Sequence, residues 1–215
     1  MKSFNAICKR ACKRISLIAL TCLMVACVSD KEQLNNNQIE TLWHNQQVEL
    51  KKIQQFQANG SLAYISGKTR NYARFSIFQS NKNEFQLKVS TPIGTHLFTI
   101  TSSQYLAEFV DNQGNRYTDE NVERLISRLA GMDLPLSTLN NWLIGLSDSP
   151  NNDILDNQGH LNKTKVTQNG LEWLLTINKY TTVQNGRKQI DLPTDIVLNQ
   201  KEQKVRIKID KWKLY

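Results

Sequence analysis

The stretch Tyr72-Ala73-Arg74-Phe75-Ser76-Ile77-Phe78, followed by Phe85-Gln86-Leu87-Lys88-Val89, decides the fold of this chain. In both segments apolar residues alternate with polar ones, which is typical of strands that bury one face. The residues around Val205, Ile207 and Ile209 repeat the pattern near the other end of the chain. The sequence therefore predicts half-buried strands in both halves of one sheet.

Further strands are expected between these segments, and Gly- and Asn-containing turns separate several of them. The turns are 111–114, 169–170 and 185–186, and the strand candidates are 57–65, 96–101, 105–110, 161–168, 171–179 and 194–199. Strands that follow one another after short turns favour a meandering antiparallel sheet or barrel over parallel βαβ units.

Helical spacing of apolar residues occurs in three places. One amphipathic helix is expected over 39–53. A second is expected after Thr118 or Asp119, either of which can cap it, and it should end at Gly131. A third follows Pro135 and stops at Gly145. The last two helices interrupt the strands, so they either complete the core over one end of the sheet or form a lid over a cavity; periodicity alone favours the first.

The N-terminus carries five basic residues and no acid before an apolar run at 15–25, which is too short to span a bilayer. Ala26 then precedes Cys27, and this order resembles a bacterial lipoprotein signal, although Met24 stands where that pattern prefers Leu. The resemblance implies removal of residues 1–26, lipidation of Cys27 and a polar tether over 27–38. Val28 instead of Asp after the cysteine favours the outer membrane.

Removal of the signal changes what the composition means. The net charge falls from +8 to +3, so the main compositional support for nucleic-acid binding disappears. Of the four cysteines at 8, 12, 22 and 27, only Cys27 remains, and once lipidated it leaves no thiol for a disulfide or a metal. We therefore expect one domain over 39–215 that is stabilised by packing.

Motifs for catalysis or metal binding are missing from the sequence. His44, His96 and His160 are far apart, and each is expected at the surface or in a turn. No serine lies in a G-x-S-x-G elbow, and Gly67-Lys68-Thr69 lacks the first glycine of a P-loop. The sequence thus predicts neither an enzyme nor a cofactor or metal site.

The segment Thr91-Pro92-Ile93-Gly94 has Pro and Gly where a type I turn favours them, with an aliphatic residue between them. Turns usually have a polar residue at that position. Ile93 therefore either folds back onto the core or extends outward to touch a bilayer or an apolar ligand.

Taken in order, a series of short segments resembles the LolB family of outer-membrane lipoprotein receptors over nearly the whole mature chain. The segments are Ala63-Tyr64-Ile65-Ser66, Tyr72-Ala73-Arg74-Phe75, Pro92-Ile93-Gly94, Val110-Asp111-Asn112, Arg116-Tyr117-Thr118, Leu129-Ala130-Gly131-Met132, Trp142-Leu143-Ile144-Gly145-Leu146 and Trp212. The resemblance implies a mainly β fold with inserted helices, namely a half-open antiparallel β-barrel with an apolar cavity and a helical lid.

The same resemblance implies a function without catalysis. Such a protein accepts lipoproteins from the periplasmic carrier LolA, holds their acyl chains and inserts them into the outer membrane, to which it is itself anchored on the periplasmic side. We expect a monomer, with Pro92, Ile93 and Gly94 as the membrane-insertion loop. Strand alternation suggests the cavity residues, which are Phe75, Ile77, Phe85, Leu87, Phe98, Ile100, Trp142 and Leu143.

Two other functions fit the sequence. A structural or binding lipoprotein of the outer membrane would use the anchor without transferring lipid, and it would need no apolar cavity. A membrane-surface module could instead use the basic stripe Lys204, Arg206 and Lys208 on one strand face.

Overall fold

A computed structural model describes residues 34–147, 150–168 and 170–215 of the chain. Residues 34–215 form one compact unit. The predicted signal peptide, Cys27 and the first part of the tether lie outside the described residues. The helices are α1 (Asn36–Leu50), α2 (Val122–Ala130) and α3 (Leu136–Leu143), with a short 3-10 helix at Pro150–Asn152. The strands are β1 (Phe56–Ser66), β2 (Thr69–Asn81), β3 (Glu84–Ser90), β4 (His96–Ser102), β5 (Ala107–Asp111), β6 (Arg116–Asp119), β7 (Ile154–Leu155), β8 (Leu161–Gln168), β9 (Leu171–Asn185), β10 (Lys188–Gln200) and β11 (Gln203–Leu214).

All these strands belong to one antiparallel sheet in the order β6-β5-β4-β3-β2-β1-β11-β10-β9-β8-β7. β1 lies in the middle, where it pairs with its neighbour β2 and with the last strand, β11. β6 and β7 stand at opposite edges, so the sheet is curved but not closed. The predicted fold class, a half-open antiparallel barrel with inserted helices, is confirmed.

The alternation read from the sequence matches the burial of the strands. In β2 the buried apolar residues are Ala73, Phe75 and Ile77, and in β3 they are Phe85, Leu87 and Val89. β11 buries Val205, Ile207 and Ile209 in the same way. Since paired residues project to the same side of a sheet, these rows form one continuous apolar inner face.

Several element boundaries differ from those predicted. β9 and β10 extend beyond the expected strands to the two-residue turn after Asn185, because their outer parts pair with each other in a long hairpin. The short strands β6 and β7 carry no clear alternation and form only because a neighbouring strand offers backbone partners. The start of α1 at Asn36 lies inside the predicted tether, since Asn35 and Gln38 form a reciprocal capping box.

The cap of α2 was also wrongly predicted. Thr118 and Asp119 belong to β6, and the cap is Asn121, whose Oδ1 accepts a hydrogen bond of 2.7 Å from the Arg124 N–H. The predicted end of α2 at Gly131 is confirmed, and this glycine has the left-handed φ of +65° that such ends favour.

His160 lies in a turn, one of the two predicted alternatives: the turn between β7 and β8 is closed by the Asp156 N–H, which donates to the His160 carbonyl at 2.9 Å. Its side chain, however, is not on the surface. Only 6% of the residue is exposed, and its ring stacks on Tyr180 with centroids 4.4 Å apart. Its Nδ1 lies 3.1 Å from Asp156 Oδ2, and its Nε2 lies 3.2 Å from Asp191 Oδ2. Asp156 is only four residues earlier in the sequence, whereas the other two partners, Tyr180 and Asp191, come from the distant β9–β10 hairpin.

Helix α1 packs beside this histidine and is held by polar contacts. Gln47 Nε2 donates to the Gly145 carbonyl at 3.0 Å, and Gln47 Oε1 accepts from the Ser147 N–H at 2.9 Å. Gly159 lets the helix approach closely, because a Cβ there would lie 2.7 Å from Leu42 Cβ and 2.9 Å from the Ile39 carbonyl oxygen.

Gly159→Ala should therefore disrupt the docking of α1. Its left-handed backbone costs about 1–2 kcal/mol for a non-glycine residue, and the clash with α1 adds about 1–3 kcal/mol. Urea denaturation should show a free energy of unfolding that is lower by the sum of these two costs. Gly114→Ala is the matched control, since Gly114 also has positive φ but open space around it; a loss as large as that of Gly159→Ala would refute the close packing.

Candidate functional site

An apolar cavity of about 710 Å³ lies between the inner face of the sheet and the helices α2 and α3. This volume falls in the range of sites that bury a small ligand. Apolar side chains from six strands, from the two helices and from the segment between the helices surround it. They are Leu62, Tyr64, Ala73, Phe75, Ile77, Leu87, Val89, Leu97, Phe98, Phe109, Ile126, Leu129, Ala130, Met132, Leu134, Leu136, Leu139, Leu143, Val205 and Ile207.

The sheet wall of the cavity follows from the register of the strands. Ile77 of β2 pairs with Leu87 of β3, and Phe75 pairs with Val89. The Phe98 ring stacks on Phe109 with centroids 4.9 Å apart, which holds both rings in place. The cavity therefore has one rigid wall, because hydrogen-bonded strands and stacked rings position its side chains.

The helical wall is attached differently. Asp119, the last residue of β6, accepts hydrogen bonds from the Asn121 N–H and from the Arg124 guanidinium. The bond from Arg124 lowers the pKa of Asp119 to about 2, so this carboxylate stays ionised at neutral pH. The ion pair ties the first turn of α2 to the edge of the sheet.

The two helices serve both purposes that the sequence left open. Leu125 and Trp142 are fully buried and complete the core. Leu129, Ala130 and Leu139 of the same helices line the cavity and are partly exposed. One part of each helix thus covers the cavity, and another part packs into the core.

The structure brings five of the eight predicted cavity residues together. Phe75, Ile77, Leu87, Phe98 and Leu143 line the cavity. Phe85, Ile100 and Trp142 are not among the lining residues; each is buried in the core. Alternation shows which face of a strand a residue is on, but not whether that part of the face borders the cavity or the packed core. These three residues lie where other side chains fill the space against the sheet.

Sequence reasoning missed the contribution of the central strands. Leu62 and Tyr64 of β1 and Val205 and Ile207 of β11 also line the cavity. Their alternation was visible, but the pairing of the first strand with the last was not, so nothing in the sequence placed them beside Phe75.

Polar residues of the strand tips mark one end of the cavity, which we call the mouth. Arg70 and Asn71 of β2, Asp111 at the end of β5 and Asn112 of the β5–β6 turn border the cavity there, together with Pro92. A hydrogen bond from the Asn115 side chain, 2.8 Å long, lowers the pKa of Asp111. An apolar interior with a polar rim suits a ligand that has an apolar part and a polar head.

The loop between β3 and β4 projects at the same end. The Gly94 N–H donates to the Thr91 carbonyl at 2.9 Å, which closes the expected turn, and Thr91 Oγ1 accepts from the Thr95 N–H at 3.0 Å. Ile93 at its tip is 92% exposed. Of the two alternatives left open by the sequence, the structure places this side chain outside the core.

Sequence comparison assigns the family. Residues 54–212 match the family model described as outer membrane lipoprotein LolB. This chain belongs to the LolB family. The outer-membrane lipoprotein LolB of Erwinia tasmaniensis is 32% identical over 206 residues, which are 95% of this chain and 97% of that protein. The LolB of Klebsiella pneumoniae is 34% identical over 170 residues, which are 79% of this chain and 82% of that protein.

Structural comparison agrees with this assignment at the level of the fold. A LolA superfamily protein from Nitrosomonas europaea superposes with a TM-score of 0.53 at 8% identity over 82% of this chain and 93% of that chain. A DUF1329 family protein from Desulfovibrio piger gives 0.51 at 7% identity over 83% and 92%. The family match and the curated relatives confirm, at the family level, the predicted role of an outer-membrane lipoprotein receptor in lipoprotein localisation.

Two further features of the described residues are relevant to the site. No helix among them has both the length and the apolar character needed to cross a bilayer. Within the same residues, His, Cys, Asp and Glu side chains form no group of three placed to hold a metal ion.

The exposure of Ile93 gives a direct test. Ile93→Ala should change the free energy of unfolding by less than about 0.5 kcal/mol, as expected for a surface site. Ile100→Ala, at a position that is 1% exposed, should cost about 2–5 kcal/mol. Thermal and urea unfolding of both variants would check this, and a comparable loss in Ile93→Ala would return the residue to the core.

Proposed function

We propose that the cavity receives the acyl chains of lipoproteins from a periplasmic carrier of the LolA type, and that the Ile93 loop delivers them to the outer membrane. The single observation that supports this most strongly is the apolar cavity of about 710 Å³ that reaches the polar mouth. Lipidation of Cys27 and removal of residues 1–26 belong to the same proposal.

The physical reason for such a cavity is the cost of exposing acyl chains to water, about 0.8 kcal/mol for each CH₂ group. A cavity lined by Phe75, Leu87 and Leu129 offers those chains apolar contacts, while polar groups such as Asn71 and Asn112 remain at the mouth for the head of the lipid. Binding of this kind needs no covalent step. The direction of transfer then depends on relative affinity: weaker in the carrier, stronger here, and strongest in the bilayer.

The loop supplies the last step in this proposal. An exposed aliphatic side chain gains about 1.5–3 kcal/mol when it leaves water, so Ile93 favours contact between the mouth and a bilayer. Because Pro92 borders the cavity and Ile93 follows it directly, the point of contact lies next to the bound chains. Acyl chains can then move into the membrane over a short path.

The alternative, a structural or binding lipoprotein without lipid transfer, has no use for this cavity. It would also leave the combination of an exposed Ile93 with an adjacent apolar cavity unexplained. The cavity therefore favours transfer, and the decisive comparison is whether soluble protein takes cargo from a loaded carrier.

A charge in the cavity should reduce binding of apolar ligands. Leu139 of α3 lines the cavity and is partly exposed, so Leu139→Glu should still fold. It should weaken binding of an environment-sensitive apolar dye by about tenfold or more, because the dye would have to remove water from a carboxylate that has no partner in the apolar cavity. Fluorescence titration measures this. Leu174→Glu, on the outer face of β9, should bind dye normally; equal effects from both changes would argue against a cavity site.

Ile93→Glu should separate acceptance of cargo from its delivery. Acceptance depends on the cavity and should persist, whereas a carboxylate at the loop tip disfavours insertion into the bilayer. Incubation with a LolA-type carrier loaded with lipoprotein, followed by addition of vesicles, should leave a stable complex of the variant with undelivered lipoprotein.

Tyr105→Glu is the matched control for this experiment. Tyr105 is 77% exposed and lies in the β4–β5 loop at the end of the sheet opposite the mouth. Tyr105→Glu places the same charge on a side chain that is also mostly exposed, and this variant should deliver lipoprotein normally. Normal delivery by a folded Ile93→Glu protein would refute the role of the loop, and failure of the unchanged chain to accept cargo would refute the proposed function.

A further inference from the structure

Five turns lie at the same end of the sheet as the mouth, because the antiparallel register brings alternate turns to one end. They connect β1 to β2, β3 to β4, β5 to β6, β8 to β9 and β10 to β11. The β1–β2 and β10–β11 turns are neighbours, since Ser66 pairs with both Thr69 and Gln203. These two turns therefore lie next to each other, at the same end of the sheet as the Ile93 loop.

These neighbouring tips carry a cluster of cations, Lys68, Arg70, Lys201 and Lys204, which we call the basic rim. All four are exposed, and none has an ion-pair partner among the described residues. Arg70 and Lys204 each pair with Ile65, so their side chains share one face at two strand spacings, about 10 Å. Glu202 is the one acid within these two turns.

The rim differs from the basic stripe that the sequence suggested. Along β11, Arg206 is neutralised by Asp195, to which its guanidinium donates at 2.6 Å. On β2, Arg74 pairs with Asp210 at 3.0 Å. Both carboxylates lie on the body of the sheet. Lys208, the third residue of the stripe, also lies on the body of the sheet, opposite Asp195 in the register of β10 and β11. The stripe therefore contributes only Lys204 to the tips beside the mouth.

We propose that the basic rim binds the anionic headgroups of a lipid bilayer and so holds the mouth against the membrane while the Ile93 loop inserts. Cations beside an exposed aliphatic residue are the pattern of interfacial membrane contacts. An acidic protein would pair with the cations but would leave Ile93 in water. An anionic bilayer accounts for both features, because its headgroups pair with the cations and its apolar interior accepts Ile93. The choice of a bilayer rests on the proposed function, but binding to vesicles requires neither cargo nor carrier.

The test measures binding of the soluble chain 28–215, which keeps every residue of the compact unit. Vesicles of phosphatidylcholine are compared with vesicles in which about a third of the lipid is phosphatidylglycerol. The anionic vesicles should bind more tightly, and the difference should vanish as salt rises to about 0.5 M, because salt screens exposed charges.

The decisive variant is Lys68→Gln combined with Lys201→Gln and Lys204→Gln; Arg70 is left unchanged because it also borders the cavity. Each cation near an anionic surface strengthens binding about fivefold, so the triple variant should bind anionic vesicles about a hundredfold more weakly. The control variant replaces Lys163, Lys179 and Lys211, which are exposed lysines away from the mouth. Its binding to anionic vesicles should weaken far less than that of the rim variant.

Three results would overturn the proposal. The first is equal binding of the unchanged chain to neutral and anionic vesicles, and the second is an equal loss of vesicle binding in the two triple variants. The third is a rim variant that still binds anionic vesicles but no longer binds the loaded carrier; this result would assign the basic rim to an acidic protein. Cargo acceptance that persists while vesicle binding is insensitive to charge would remove the rim's role and leave the proposed function standing. Circular dichroism and the midpoint of unfolding would show that each variant is folded.

Discussion

The structure depends on the pairing of the first strand with the last. β1 and β11 run antiparallel from Phe56 opposite Leu214 to Ser66 opposite Gln203, and they join the strands β2–β6 to the strands β7–β10. The contact is unusually close at Gly60, where a Cβ would lie 2.0 Å from the Lys208 carbonyl oxygen. Without this pairing the chain would form two separate sheets, and the apolar inner face would be divided.

A single curved sheet with one apolar face creates the site. The face is larger than the two short helices can cover, since α2 and α3 together have only 17 residues. Where their side chains reach the sheet, the space is filled by residues such as Leu125 and Trp142, which are fully buried. Where they do not reach, an apolar cavity remains. The cavity is thus a consequence of an incompletely covered sheet, and it costs stability because its walls lack packing partners.

The two ends of the sheet differ in the groups that they carry, because the antiparallel connections place alternate turns at opposite ends. Antiparallel connections place the β3–β4 loop with Ile93 and the cationic tips at the mouth, whereas α1 and the β9–β10 hairpin meet at the other end, where Lys188 pairs with Glu49 at 3.0 Å. Polar contacts and the close approach at Gly159 hold α1 at that end of the sheet. Among the described residues, the polar rim of the cavity and the exposed Ile93 therefore lie at the same end of the sheet.

Much of the secondary structure could be predicted from the sequence, because it depends on neighbours along the chain. Alternation identified the buried faces of β2, β3 and β11, Gly131 marked the end of α2, and Pro92 with Gly94 indicated the turn at Ile93. The three predicted cavity residues that lie in the core, the partners of His160 and the exposure of Ile93 could not be predicted in this way. Each depends on how closely residues far apart in the chain approach one another, and that distance is set by strand pairing and by the helices that cover the sheet. The chemistry of each face was thus determined locally, whereas cavity, core and mouth were decided by the tertiary structure.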